Sequence, residues 1–405
     1  MKLKKCRICK KANLKKLFSL GNLCFTGKFP SENKNIEKKP ITLVICKNCE
    51  LVQLGHNFDL KYLYGPDYGY RTGINKTMLN HVGRVVNILS KKTKLKKNDL
   101  VLDIASNDGS LLNFYKKNIE TFGIDPILDK YKDEYKNVNH KLADFFSASK
   151  IKNITKKKFK IITALSVFYD AADPNKFIKD VKKLLSQDGI FLLEFADLAS
   201  IIQNKMFDTI CHEHLEYYST KVIINLCKKN DLQVFDIKKN DINGASKQYY
   251  ICHKNFNYKI KKKIINNIFK EEKKLKLSEE KTFKNFINSI NKSKNKLYRF
   301  LKQKTKLGKK VHGYGASTKG NVLLQYYNIN YKMVEFIAER NNKKYNLYTP
   351  GTKIKIISEA LSRFYRPDYY LVLPWHFKKE ILFREKEIRK KGTKFIFPLP
   401  TLKII

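Results

Sequence analysis

The chain has 405 residues, of which 42% are hydrophobic and 12% aromatic, and its formal net charge is +46. This composition excludes a disordered chain, the length predicts two or three domains, and no apolar run approaches the about 18 residues of a membrane span. The lysines are spread along the whole chain, so the charge indicates solvated surface or an anionic small molecule, and nucleic acid is not expected as a partner. With no secretory signal, we expect a cytoplasmic protein without a membrane partner.

Residues 1–75 are expected to form a small module around two CxxC pairs. The pairs are Cys6 with Cys9 and Cys46 with Cys49, and 36 residues separate them. Two such pairs supply the four thiolates of a closed tetrahedral zinc site, which stabilises a fold and leaves no position open for catalysis. The alternative is a set of unpaired buried thiols.

Residues 76–240 are predicted to form a mostly parallel sheet covered by helices. A helical pattern runs from Met78 to Leu89, and apolar strand-like runs then alternate with amphipathic helical stretches. This alternation is typical of a Rossmann-like α/β core. The predicted strands are Leu100–Ile104, Thr121–Ile124, Ile161–Val167 and Ile190–Phe195.

The turn after the first of these strands predicts a site for a nucleoside cofactor. It contains a single glycine, Gly109, and Asp125 follows 22 residues after Asp103 at the end of the next strand. An acid at that position accepts hydrogen bonds from ribose hydroxyls, and side chains of the turn suit the methionyl part of S-adenosylmethionine (SAM) better than a pyrophosphate. A dinucleotide site and a purely structural turn are the alternatives. The predicted cofactor-binding residues are Asp103, Ile104, Ala105, Ser106, Asn107, Asp108, Gly109, Asp125, Pro126, Asp144 and Phe145.

A dense run of ionisable groups follows the fourth predicted strand. It includes Cys211, His212, Glu213 and His214. The two histidines are two positions apart rather than four, so they do not match the helical HExxH zinc motif. Such a cluster is typical of an active-site lining, and a polar loop with satisfied histidines is the alternative.

Residues 241–405 are predicted to form a second, smaller Rossmann-like α/β domain with a helical insert at 258–305. The insert carries apolar residues at helical spacing, which predicts two long amphipathic helices. After it, Val311 to Asn321 reads as a strand, a glycine turn and a helix. Together with polar and aromatic residues at later strand ends, this turn predicts a nucleotide pocket that lacks the spacing of a P-loop.

These segments together resemble a known family, the zinc-containing, SAM-dependent C-methyltransferases that act on nucleotide-linked keto-deoxyhexoses. The resemblance spans essentially the whole chain. It rests on the four-cysteine module and on DIASNDGSLL at 103–112, FYDAADP at 168–174, CHEHLEYYS at 211–219, INGAS at 242–246, GYGASTKGN at 313–321, PGT at 350–352 and LPWHF at 373–377. It implies a zinc domain, a class I methyltransferase core and a C-terminal domain that helps to hold a nucleotide sugar.

The resemblance also implies roles for particular residues. In the family the second histidine of the His-Glu-His run is the general base, which corresponds to His214 here. His214 would remove a proton next to a carbonyl, Tyr70 or His212 would donate to the oxyanion, and Glu213 would orient the imidazole. The family usually has tyrosine where this chain has Cys211. The predicted substrate-binding residues are Tyr217, Tyr218, Tyr314, Lys319, Asn321, Glu339, Trp375 and His376.

Two other functions stay open at this stage. An RNA or tRNA methyltransferase is suggested by the zinc module and the basic charge, but no RNA-binding motif accompanies them. A non-catalytic protein that retains a SAM-binding fold is the second alternative. The acceptor, the methylated atom and the oligomeric state do not follow from the sequence.

Overall fold

The computed structural model describes residues 2–32, 34–65 and 68–405. Its strands are β1 (Leu14–Cys24), β2 (Lys38–Cys46), β3 (Val52–Leu54), β4 (Leu100–Ile104), β5 (Glu120–Ile124), β6 (His140–Leu142), β7 (Phe159–Leu165), β8 (Leu185–Phe195), β9 (Glu216–Tyr217), β10 (Leu232–Asn240), β11 (Ser246–His253), β12 (Val311–Tyr314), β13 (Phe336–Glu339), β14 (Lys355–Ser358), β15 (Tyr369–Val372), β16 (Lys394–Phe397) and β17 (Lys403–Ile404). Its helices are α1 (Leu60–Leu63), α2 (Lys76–Thr93), α3 (Ala148–Lys152), α4 (Pro174–Leu184), α5 (Leu198–Gln203), α6 (Thr220–Lys229), α7 (Lys262–Leu275), α8 (Glu280–Lys306), α9 (Thr318–Tyr327), α10 (Glu359–Phe364), α11 (Lys378–Arg384) and α12 (Lys386–Lys390).

The N-terminal module is a four-stranded antiparallel sheet whose fourth strand comes from the central part of the chain. The strand order is β1-β2-β3-β9, and β9 belongs to the segment that also carries the His-Glu-His run. Leu54 N donates to Leu215 O at 2.8 Å in continuation of this pairing. The module is therefore bonded directly to the segment that holds the candidate base.

The central sheet confirms the predicted α/β core. Its seven strands lie in the order β10-β11-β8-β7-β4-β5-β6. The five adjacent strands β8, β7, β4, β5 and β6 all run parallel to one another. β4 is buried along its whole length, as expected of a parallel strand covered by helices on both faces. The predicted strand Leu100–Ile104 coincides with β4.

The antiparallel hairpin of β10 and β11 extends the central sheet beyond the domain boundary predicted at residue 240. β11 inserts between β10 and β8 and pairs with both. Its residues Tyr249 to Cys252 are buried, so this strand belongs to the core of the central sheet. A buried strand needs hydrogen-bonding partners on both sides, and β11 finds them in β10 and β8. The boundary predicted after residue 240 therefore falls between the two strands of this hairpin.

The helical insert links two parts of the molecule. α7 buries Ile265 and Ile268 in the core of the central sheet, whereas α8 buries Phe283 and Phe286 against Phe18 of the N-terminal module. The apolar faces of the two helices predicted for 258–305 thus pack against two different parts of the molecule, the central sheet and the N-terminal module. None of the described helices combines the length and the hydropathy needed to cross a bilayer.

The C-terminal domain is a second Rossmann-like unit with a six-stranded sheet in the order β14-β13-β12-β15-β16-β17. All neighbouring strands are parallel except β17, which runs antiparallel to β16. Its apolar residues share one core cluster with the N-terminal module. The carboxyl ends of β4 and β12 therefore open toward a common cleft, where ligands bind in folds of this kind.

Candidate active site

The cleft is a cavity of about 580 Å³ to which all three parts of the chain contribute walls. One wall consists of the turns after β4, β5, β6 and β7 of the central sheet. A second consists of the loop between α1 and α2, and the third comes from the strand ends and helix starts of the C-terminal domain. This volume lies within the range typical of small-molecule and cofactor sites.

The turn after β4 is folded around the carboxylate of Asp125. Ala105 and Asn107 have positive φ angles of 58° and 53°, so the backbone makes a tight reversal. Asn107 N donates to Asp125 Oδ2, and Ile127 N donates to Asp125 Oδ1, both at 2.8 Å. Burial raises the pKa of Asp125 to about 6. This acid therefore shapes the turn as well as facing the cavity.

The predicted cofactor residues divide into those that face the cavity and those behind it. Asp108 accepts from Gly73 N at 2.8 Å, and Gly109 packs so closely on Tyr135 that a Cβ would lie 2.8 Å from its ring. These two are outside the lining and support the turn. The predicted residues that line the cavity are Asp103, Ile104, Ala105, Ser106, Asn107, Asp125, Pro126, Asp144 and Phe145.

The residues at this end of the cavity fit SAM. The carboxyl groups of Asp103, Asp125 and Asp144 line this end of the cavity, which suits a ligand that carries a sulfonium and an ammonium charge. Asp103 is held by Thr163 Oγ1, which donates to its Oδ1 at 2.6 Å, and burial raises its pKa to about 7. Ile104 and Phe145 add apolar surface to the same lining, which suits an adenosyl group.

His214 lines the same cavity in a defined tautomer. Its Nδ1 is 2.7 Å from the carbonyl oxygen of Thr209, and because a carbonyl oxygen only accepts, Nδ1 carries the proton. Nε2 therefore carries a lone pair, and no described residue forms a hydrogen bond with it. Burial lowers the pKa of His214 to about 3, so the ring is neutral at physiological pH. The ring lies against Tyr169, with 4.1 Å between the centroids.

The neighbours of His214 in the His-Glu-His run have different environments. Glu213 borders the cavity, but its oxygens accept from Thr26 Oγ1 at 3.1 Å and Gly27 N at 2.9 Å. Glu213 thus connects this run to the N-terminal module, and the imidazole of His214 is oriented by the Thr209 carbonyl instead. His212 is fully buried outside the lining, with its Nε2 3.1 Å from the carbonyl oxygen of Lys39.

Of the predicted tyrosines Tyr70, Tyr217 and Tyr218, only Tyr70 lines the cavity among the described residues. Tyr70 lines the cavity and is 39% exposed, so it sits at the mouth. Tyr217 lies behind the run, where its hydroxyl donates to the carbonyl oxygen of His214 at 3.0 Å. Tyr218 is buried and stacks on Phe168. The last two support the backbone around His214 rather than facing a ligand.

The C-terminal domain supplies four of its predicted residues to the lining, namely Tyr314, Lys319, Glu339 and His376. The other two attach the domain to the rest of the molecule. Asn321 Nδ2 donates to Thr26 O at 2.7 Å, and Trp375 Nε1 donates to the buried Asp208 at 2.8 Å. These bonds hold the third wall of the cavity in place.

Several lining residues were not assigned from the sequence. Tyr169 and Asp170 lie in the FYDAADP segment, and Asn243 lies in INGAS, so segment resemblance was the signal that could have found them. Asp170 is buried and accepts from Tyr64 O–H at 2.7 Å. Lys344 carried no such signal, because its position in the cavity depends on how the C-terminal domain docks.

The four predicted zinc ligands converge in the N-terminal module. The Sγ atoms of Cys6, Cys9, Cys46 and Cys49 all lie within 4.8 Å of one another. The pairs Cys6 with Cys49 and Cys9 with Cys46 are separated by 3.5 and 3.4 Å. Four thiolates at these spacings fit the tetrahedral coordination of a structural zinc ion. Cys24, Cys227 and Cys252 are also buried but do not belong to this cluster.

Three family models match consecutive parts of the chain. Residues 6–64 match a "Putative zinc binding domain", residues 74–237 a "Methyltransferase domain", and residues 241–400 a "C-methyltransferase C-terminal domain". The C-methyltransferase NovU of Streptomyces niveus is 25% identical over 406 aligned residues, which cover 99% of this chain and 96% of NovU. These matches agree with the predicted SAM cofactor and zinc module.

Solved methyltransferase structures match part of the chain. A SAM-dependent methyltransferase from Clostridium acetobutylicum ATCC 824 is 15% identical, with 43% of this chain and 92% of that chain covered and a TM-score of 0.35. Magnesium protoporphyrin IX methyltransferase (ChlM) from Synechocystis PCC 6803 with bound S-adenosylhomocysteine is 14% identical, with 48% and 92% covered and a TM-score of 0.35.

Proposed function

Because the chain belongs with the SAM-dependent C-methyltransferases that combine these three domains, we propose that its acceptor is a nucleotide-linked keto-deoxyhexose and that His214 is the general base. The methylated carbon is then the one next to the keto group. The observation that carries this proposal is the neutral imidazole of His214, which lines the cavity and whose Nε2 lone pair is not used by any described residue.

A C–H group next to a carbonyl is acidic enough for an imidazole only when the base is positioned and the charge on oxygen is stabilised. The bond from Thr209 O to His214 Nδ1–H fixes the ring plane and the tautomer. Tyr169 packs on the ring and limits its rotation. SAM supplies an electrophilic methyl group, while the residues of the chain bind, orient and deprotonate the acceptor.

The C-terminal wall supports a phosphorylated acceptor. Lys344 and Arg340 border the cavity near the start of α9, and Lys344 is a buried cation whose Nζ donates to Ala316 O at 2.7 Å. The first residues of α9 also border the cavity, and backbone N–H groups at a helix start favour anions.

The proposal is tested with His214→Gln and the matched control His212→Gln. The probe is dTDP-4-keto-6-deoxyglucose with radiolabelled SAM, and the product is analysed by mass spectrometry and NMR. Loss of a positioned general base is expected to reduce turnover by about 10²–10⁴-fold while SAM still binds. His212→Gln should retain turnover, because its imidazole lies outside the cavity lining.

The outcome also separates the alternatives. Full turnover by His214→Gln would remove the proposed base. Methyl transfer to oxygen or nitrogen of the probe would show that no carbanion is formed. Failure of the wild-type enzyme to methylate nucleotide-linked keto sugars, with RNA accepted instead, would overturn the proposed substrate class.

A further inference from the structure

Lys319 belongs to the C-terminal domain but reaches the wall formed by the central sheet. It is the second residue of α9, whose start is capped by Ser317, with Gly320 N donating to Ser317 Oγ at 3.0 Å. The Lys319 Nζ donates to the carbonyl oxygen of Asn243 at 2.9 Å. The ammonium group therefore spans from one domain to the loop between β10 and β11.

The acceptor of this bond is itself fixed by the central sheet. Asn243 has a φ of 56°, and its Nδ2 donates to Ser166 Oγ at 3.0 Å. Ser166 also has a positive φ, 57°, and follows directly after β7. The position of the Lys319 ammonium is consequently set relative to the turn after β7, which is also part of the wall beside His214.

The ammonium group of Lys319 has hydrogen-bonding capacity that the described residues do not use. It carries three N–H donors, and the structure shows one hydrogen bond. Within the described residues Lys319 forms no ion pair, and the buried carboxylate of Asp208 acts on it only through space. Because donors of a partly buried cation are costly to leave unpaired, this corner of the cavity is suited to an oxygen atom of a ligand.

A second polar group of the cavity lining has no hydrogen-bond partner among the described residues. His376 lines the cavity, and its Nδ1 is buried without a hydrogen-bond partner. The charge of Lys319 contributes to the lowered pKa of both His376 and His214. The three side chains all line the same cavity.

We infer that Lys319 binds the keto oxygen of the acceptor and stabilises the enolate that His214 generates. This inference rests on the proposed function and assigns the oxyanion role to a residue of the C-terminal domain. The C–H bond breaks, its proton goes to His214 Nε2, and its electron pair becomes the enolate π bond while the carbonyl π electrons move onto the oxygen bound by Lys319. When the new C–C bond forms, the carbonyl is restored, the methyl–sulfur bond breaks, and its electrons remain on sulfur.

The alternatives are a purely structural tether and a phosphate ligand. A tether would need only the hydrogen bond to Asn243 O, which a neutral amide side chain can also donate. A phosphate ligand would affect acceptor binding more than the chemical step. An oxyanion ligand differs from both, because its loss slows proton removal from acceptor that is already bound.

The experiment measures solvent exchange of the acidic C–H without methyl transfer. Wild-type enzyme, Lys319→Gln, Lys319→Arg and Lys344→Gln are saturated with dTDP-4-keto-6-deoxyglucose in D₂O, with S-adenosylhomocysteine filling the cofactor site, and deuterium uptake is followed by NMR. Lys344 is the matched comparison, because it is also a cavity lysine that donates to a backbone carbonyl. Calorimetric binding of SAM verifies that each variant is folded.

We expect Lys319→Gln to lower the exchange rate at saturation and kcat by about 10²–10³-fold, with a smaller change in KM. Lys319→Arg should recover part of the loss, and the defect of Lys344→Gln should fall on KM. If folded Lys319→Gln exchanges deuterium as fast as the wild-type enzyme, or if its defect is confined to KM, the proposed role of Lys319 is overturned. The proposed role of His214 as general base would not be affected by either result. Absence of exchange in the wild-type enzyme would instead overturn the proposed function and this inference with it.

Discussion

Replacing Asp125 with alanine removes one side chain with two functions. Its oxygens accept two backbone hydrogen bonds of 2.8 Å, from Asn107 N and Ile127 N, and the carboxylate faces the cavity. Loss of an acceptor for a bound ligand's hydroxyls costs about 1–3 kcal/mol, which is roughly a ten- to hundredfold loss in SAM affinity. The turn also loses its support, so we expect the upper part of this range.

The assay is calorimetric titration of SAM into Asp125→Ala, together with thermal unfolding of the free protein. The matched control is Asp99→Ala, at the start of β4, where Asp99 Oδ2 accepts from Lys96 N at 2.7 Å far from the strand ends that form the cavity. The control should lose some stability and keep its SAM affinity. Unchanged SAM affinity in Asp125→Ala would remove this acid from the cofactor site and refute the reasoning.

Two further predictions concern stability. Elemental analysis of the wild-type protein should find one zinc ion per chain. Cys46→Ser should lower both the zinc content and the unfolding temperature. A wild-type protein that contains no metal and is no more stable than Cys46→Ser would contradict this prediction. Lys247→Met should lower the free energy of unfolding by about 3–5 kcal/mol in urea titration, because the buried carboxylates of Asp197 and Glu272 lose their shared cation. Lys247→Arg is the control, and an unchanged midpoint in the methionine variant would contradict the stabilising role of these ion pairs.

Local features of the fold were predictable because each depends on neighbours in the sequence. The spacing of the cysteine pairs predicts a four-thiolate site, and the apolar run from Leu100 to Ile104 predicts the strand that the structure shows. The turn after this strand and Asp125 lie at the ends of adjacent parallel strands, so their proximity follows from topology alone.

Other features could not be predicted, because they depend on contacts between distant segments. β11 enters the central sheet after the predicted boundary, and β9 completes the sheet of the N-terminal module. Sequence periodicity describes which face of a strand is buried but not which strand lies beside it. For the same reason the split between lining and supporting residues, such as Tyr70 and Tyr217, was not visible in the sequence.

The sequence by itself determined the order of the three parts and the zinc ligands, since residue type and spacing carry that chemistry, and the candidate base came from the family resemblance. Only the tertiary structure decided that Thr209 orients His214, that Glu213 bonds to Thr26, and that Lys319 reaches Asn243. These contacts join segments whose distance is set by packing of the three sheets rather than by local chain geometry. Burial then keeps His214 neutral, because the charged imidazolium would lose its hydration in the closed cleft.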